Sequence, residues 1–193
     1  GVDSALQLIG NHHRLDKRQR QAVGRGAASD QAVAERRRKE VSLAALTGRP
    51  VAIDGFNLLI LLESAGGGAV ILQGRDGTFR DLASVHGTYK HVRQTVPALL
   101  SVGEALRHAS SVTWYLDQPV SNSGRLKTQL RELAEEHDFA WTVELVYNPD
   151  KELVALPEEH VVVSSDSWVL DGAGSWCNLG RGLLAGRVDP LIL

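Results

Sequence analysis

The chain has 193 residues, 43% hydrophobic and 23% charged, a length and balance that suit one well-filled domain with a small appendage and exclude a disordered chain. Its longest apolar run, Leu58 to Leu62, falls far short of the ~20 residues that cross a bilayer. No apolar run near the start precedes a signal-cleavage site, and the single cysteine, Cys177, excludes an internal disulfide and reads as a small buried hydrophobe. The net charge of −2 divides unevenly, with ten Lys/Arg against five Asp/Glu in residues 1–50 and eleven against eighteen in the remainder.

Residues 1–48 read as a basic helical arm, and residues 49–193 as a separate α/β domain. The arm opens with an apolar patch (Ala5, Leu6, Leu8, Ile9), continues through His12-His13-Arg14, and carries Lys17, Arg18, Arg20 and Arg25. Ser29 is placed to cap a helix ending in Arg36-Arg37-Arg38-Lys39, where the helix dipole favours cations. A basic end suits a polyanion and an acidic body suits cations, although on composition alone a solvated helical face is the favoured reading of the arm. Thr47-Gly48-Arg49-Pro50 breaks the pattern.

Beyond the break, Val51-Ala52-Ile53 predicts an apolar strand and Phe56 to Ala65 a helix. Ala69 to Leu72 and Thr78-Phe79 predict a hairpin around Arg75-Asp76-Gly77, and Thr88 to Ala109 a helix broken near Pro97. Val112 to Leu116 is a second apolar strand. Ser121 or Ser123 would then cap a helix that turns Leu126, Leu130, Leu133 and His137 to one face. Ala140 to Val146 and Val161 to Val163 complete the strands. Strands apolar on both faces, alternating with helices, predict a three-layer, Rossmann-like parallel sheet covered on both sides.

Three of these strands lead into aspartates: Val-Ala-Ile-Asp54-Gly-Phe-Asn57, Trp-Tyr-Leu-Asp117, and Val-Val-Val-Ser-Ser165-Asp166, with Asp171 five residues further on. Any one of them is also how an ordinary turn opens. Together, at the carboxyl ends of parallel strands, they would line the binding crevice of an open α/β sheet. Carboxylates gathered there repel one another unless a hard cation such as Mg2+ or Mn2+ neutralises them.

Asp-Gly-Phe-Asn at 54–57, Asp117, and Ser-Ser-Asp at 164–166 with Asp171 resemble the NYN branch of the PIN-like ribonucleases. Over nearly its whole length, Arg-rich start included, the chain also resembles a prokaryotic family known as domain of unknown function 434. The PIN-like resemblance implies that Asp54, Asp117 and Asp166 ligate Mg2+ or Mn2+, with Asp171 as a fourth or water-mediated ligand. Asn57 would orient the scissile phosphate, and a water activated at the metal would hydrolyse RNA. Glu63, in the first helix, faces elsewhere. The additional mid-fold acidic residue usual in PIN proteins has no clear counterpart here.

The segment 66–87 is either a substrate-facing flap, with Arg75, Arg80 and His86 on phosphates, or an exposed hairpin. Its glycine triplet lacks the Gly-Lys-Ser/Thr of a P-loop. The expected nucleic-acid contacts are Arg14, Lys17, Arg18, Arg20, Arg25, Arg75, Arg80 and Arg125. The partner is then RNA, with DNA and a homodimer left open, in the cytoplasm and away from membranes. His12 and His13 read as surface, Trp114 and Trp141 as core; Trp168 and Trp176 stack on a base or pack. A non-catalytic RNA-binding protein of the same fold stands as the alternative. A phosphatase using Asp54 as nucleophile is disfavoured, because Phe56 occupies the place of its second aspartate.

Overall fold

The computed structural model describes residues 2–83 and 88–193. Helix α1 (Val2–His12) turns back into α2 (Lys17–Gly26) through Arg14, whose φ is 51°. A capping box closes the start of α2, with Gln19 N donating to Asp16 and the Gln19 side chain accepting from Asp16 N. Ser29 caps α3 (Asp30–Lys39) as its position predicts, by accepting from Ala32 N at 3.1 Å. The chain continues through β1 (Glu40–Val41), β2 (Pro50–Asp54), α4 (Gly55–Gly66), β3 (Leu72–Gln73) and β4 (Phe79–Arg80). There follow α5 (Thr95–Ala105), β5 (Ser111–Asp117), α6 (Ser123–His137), β6 (Trp141–Val146), α7 (Pro149–Val154) and β7 (Val161–Val163). Helix α8 (Ser167–Gly172), β8 (Trp176–Cys177), α9 (Leu179–Leu184) and β9 (Leu191–Ile192) complete it.

Six strands form one all-parallel sheet in the order β1-β8-β7-β2-β5-β6. Side-chain alternation builds a core on each face. Val51, Ile53, Trp114, Leu116 and Val163 pack under α4, α5, α6 and α9, while Ala52, Val162 and Trp176 pack under α7 and α8. This is the three-layer arrangement expected of strands apolar on both sides. From β2 the chain moves to β5 and β6 on one side, then returns to β7 and β8 on the other. The crossover reverses between β2 and β7, the place where such sheets open a crevice. No described helix is long and apolar enough to cross a membrane.

Four local expectations change. Residues 88–94 are not helical: Thr88 bridges Ser121, and Tyr89 N donates to Ser121 O at 3.0 Å. The helix begins at Thr95, which puts Pro97 in the first turn, where a missing N–H leaves no bond broken. The cap of α6 is Asn122, at a left-handed φ of 73° that Asn tolerates better than Ser. The hairpin strands lie at 72–73 and 79–80, and β9 joins β3 as a third strand. Finally, residues 1–48 do not stand apart as an arm, because β1 pairs with β8 and the Trp176 indole N–H donates to the Arg36 carbonyl at 2.8 Å.

Candidate active site

Asp54 ends β2, and Asp117 ends the neighbouring β5. Asp166 stands three residues beyond β7 on the other flank, so the three aspartates share the C-terminal edge of adjacent strands. Gly55 is required between Asp54 and α4: a Cβ there would lie 2.8 Å from the Tyr115 carbonyl oxygen and collide with Leu116. Asp54 occupies the N-cap position of α4 without capping it. Its Oδ2 instead accepts the Ser164 hydroxyl at 2.7 Å, across the β2–β7 reversal.

The surroundings of Asp54 oppose its ionisation. Burial pushes its carboxyl up to about 7; the Ser164 hydrogen bond works against that rise, and repulsion from Asp150, Asp166 and Asp117 adds to it. Asp150 was not among the expected ligands. It follows Pro149 at the start of α7, after β6, and burial with repulsion from Asp166 and Asp117 raises its carboxyl too. Burial raises Asp117 likewise. No described Lys, Arg or His forms a salt bridge with any of the four. A signal for Asp150 was present, since Val146-Tyr-Asn-Pro-Asp150 repeats the strand-then-aspartate pattern behind a Pro turn.

The loop between β7 and α8 is tightly held. Asn57 Oδ1 accepts from Ser165 N at 2.9 Å and from Ser165 Oγ at 3.0 Å. Asp166 Oδ1 caps α8 by accepting from Trp168 N at 2.8 Å and Val169 N at 3.2 Å. An open cleft of about 430 Å³ adjoins this loop, lined by Asn57, Ser165, Asp166 and Ser167 and by Arg25, Arg80 and Asp81. Among the described residues, no three His, Cys, Asp or Glu side chains close into a ready metal-ligand set.

Several expected site residues serve other ends. The Asp171 carboxylate faces Arg36, whose Nε donates to it at 2.7 Å, and it does not join the other aspartates. Arg80 is buried: its guanidinium grips Asp76 at 3.0 and 2.7 Å and the Ser165 carbonyl at 2.8 Å, so it cannot reach out to a phosphate. Arg20 ties α2 to α1, donating to Leu15 O at 2.9 Å and Asn11 Oδ1 at 3.0 Å. Arg75 bonds Ala28 O and Asp30 on the surface, and Arg25 reaches Asp81 while lining the cleft. Arg14, Lys17, Arg18 and Arg125 are exposed. Glu63 accepts from Tyr89 and Thr95, apart from the edge. Trp176 is fully buried, which removes it as a base platform. Burial pushes the Cys177 thiol up to about 12, in keeping with a packing role. His86 lies outside the described residues.

The family described as "Protein of unknown function (DUF434)" matches residues 1–39, so that likeness attaches to the N-terminal helices rather than to nearly the whole chain. A protein of Methanocaldococcus jannaschii, described as "Uncharacterized protein MJ0935", is 35% identical over 152 residues, covering 78% of this chain and 73% of that one. No solved structure matches. The family described as "Domain of unknown function (DUF5616)" matches residues 43–182, which carry all four edge aspartates, and the chain belongs to that family.

Proposed function

We propose that the protein is a PIN/NYN-like, metal-dependent nuclease that hydrolyses RNA phosphodiester bonds at the C-terminal edge of its sheet. The observation that supports this most is Asp54, a buried carboxylate held among three others with no described basic side chain in a salt bridge to any of them. A fold does not gather such charges for stability, since each adds to the cost of ionising the next. The donor set is all oxygen, as Mg2+ and Mn2+ require. The hydrogen bonds of the described residues use Asp54 Oδ2 and Asp166 Oδ1, and Asp117 is bonded only by its own backbone, so these two aspartates with Asp117 and Asp150 would hold the ion. When bound, such an ion polarises the phosphate and lowers the pKa of water.

The chain's own residues supply the rest. Ser164 fixes the Asp54 carboxylate from below, and Asn57 holds the 164–166 loop through its oxygen, leaving its amide nitrogen for a phosphate oxygen in the cleft. Arg25, on the cleft wall, offers a positive charge to the substrate backbone. A non-catalytic RNA-binding protein is the second reading, in keeping with the lack of a closed three-ligand set among the described residues.

Incubation of end-labelled RNA with Mn2+ or with excess EDTA separates the two. The nuclease reading expects cleavage with Mn2+ only, reduced by orders of magnitude in Asp150→Asn, whose side chain makes no hydrogen bond among the described residues. Binding without cleavage, or equal cleavage by Asp150→Asn, would leave the binding protein standing.

A further inference from the structure

Large aromatic side chains left in water are costly, because each forgoes the burial of some 150–250 Å². In this protein every other described Phe, Tyr and Trp is buried or half-buried, while Tyr147 is 79% exposed and Trp168 is 53% exposed. Their places in the fold are not scattered. Tyr147 is the first residue after β6, three before Asp150. Trp168 lies in the first turn of α8, and its backbone N–H donates to Asp166 Oδ1 at 2.8 Å.

In the order β7-β2-β5-β6, the strand leading to Trp168 and the strand leading to Tyr147 bracket the two that end in Asp54 and Asp117. Three inter-strand spacings separate β7 from β6, about 14 Å at the backbone. The carboxylate edge is thus flanked on both sides by an exposed aromatic ring.

We infer that Tyr147 and Trp168 are stacking platforms for unpaired nucleobases on either side of the carboxylate edge, so that the substrate is a single-stranded segment of nucleic acid. This rests on the nuclease reading for the class of ligand. Bases in a duplex already stack on one another and hide their faces, whereas unpaired bases offer a π-face to any aromatic ring, regardless of sequence. Two platforms astride the edge hold the intervening phosphodiester over Asp54 and Asp117. Arg25 and the exposed cations of the N-terminal helices then serve the backbone, not the bases.

The test is fluorescence anisotropy of a labelled oligouridylate with the full chain in EDTA, where no metal-dependent cleavage occurs. Tyr147→Ala and Trp168→Ala should each weaken binding by roughly five- to a hundredfold, the range of one lost base stack. Trp168→Phe should recover most of that loss. Binding of an abasic chain of equal length, and of a duplex, should be unchanged by either Ala variant. Both side chains are exposed, so the variants keep the core intact.

The inference is overturned if the wild type binds no oligouridylate, or if the Ala variants bind it as the wild type does. It also fails if they lose abasic and base-bearing chains equally, or if they disrupt self-association and leave oligouridylate binding unaltered. Wild-type cleavage with Mn2+, scored separately, distinguishes the two failures. Cleavage with unaffected Ala variants sinks only the stacking platforms, and stacking without cleavage sinks only the nuclease.

Discussion

Asp54 and Asp76 are both aspartates withdrawn from water, and the protein treats them in opposite ways. Burial would push the Asp76 carboxyl up, but Arg80, Thr78 and Arg36 overcome that and hold it at about 2. Its Oδ2 accepts from Arg36 Nη1 at 2.6 Å and from Arg80 Nη2 at 2.7 Å, and Thr78 bonds its Oδ1 at 2.8 Å. Among the described residues Asp54 has one neutral donor and three like charges, and stands at about 7. The first is a complete internal ion cluster that joins α3, the β3–β4 hairpin and the loop before α8. The second has no counter-charge among the described residues, and under the proposed function a divalent cation would supply it. The contrast separates a carboxylate neutralised within the fold from one that, under the proposed function, would bind a metal ion.

The largest effect should follow from breaking the complete cluster. Asp76→Asn leaves the buried Arg80 guanidinium without its counter-charge and Arg36 with Asp171 alone, which typically costs about 3–5 kcal/mol. Chemical denaturation should show it plainly, and a loss below about 1 kcal/mol would mean that water or rearrangement relieves the arginines.

The pH dependence of the metal-free protein sharpens the same comparison. Asp54 is raised from 3.8 to about 7, so its contribution is fully present below about pH 4 and is lost as pH rises towards 7. Asp76 is lowered to about 2, so its contribution is present above about pH 4 and is lost as pH falls towards 2. Between pH 5 and 8 the wild type should therefore lose stability, on the order of a few kcal/mol, and Asp54→Asn should flatten that slope. Denaturation midpoints across this range decide it; a wild-type profile as flat as the variant's would contradict the assigned environment.

A smaller effect concerns the basic N-terminal helices, where the same division recurs. Arg14, Lys17 and Arg18 are exposed, whereas Arg20 is bound within the helix pair. Replacing the three exposed cations by Ala should lower the salt dependence of RNA binding by about 0.7 per lost phosphate contact. Arg20→Ala should leave the slope unchanged and loosen α1. A slope unaltered by the triple change would make these residues solvated surface.

What the sequence made legible follows from range. Strands β2 and β7 stand out as apolar runs and β5 by its buried Val112, Trp114 and Leu116, and Asp54, Asp117 and Asp166 follow from where those strands stop. Asp150 was hidden by the Asn-Pro turn that delays it beyond β6. The burial of Arg36 and Arg80 could not be read locally. Arg36 sits in a run of four cations, and its partners Asp76 and Asp171 lie 40 and 135 residues away. Residues 88–94 look helical by composition, yet Tyr89 pairs its backbone with Ser121, a contact that exists only once β5 and α6 are in place. Asp171 fits the spacing of a ligand, and Arg36, brought in by α3, decides otherwise.

The most direct test of the Asp54 cluster is the thermal midpoint of the wild type and of Asp54→Asn, titrated with Mn2+ at pH 6 and pH 8. An ion at one hundred times its Kd stabilises by about 2.7 kcal/mol, and protons compete with it for Asp54. The account predicts a wild-type midpoint that rises with Mn2+, more at pH 8 than at pH 6, and an Asp54→Asn midpoint that does not move. No rise in the wild type, or an equal rise in the variant, would contradict it.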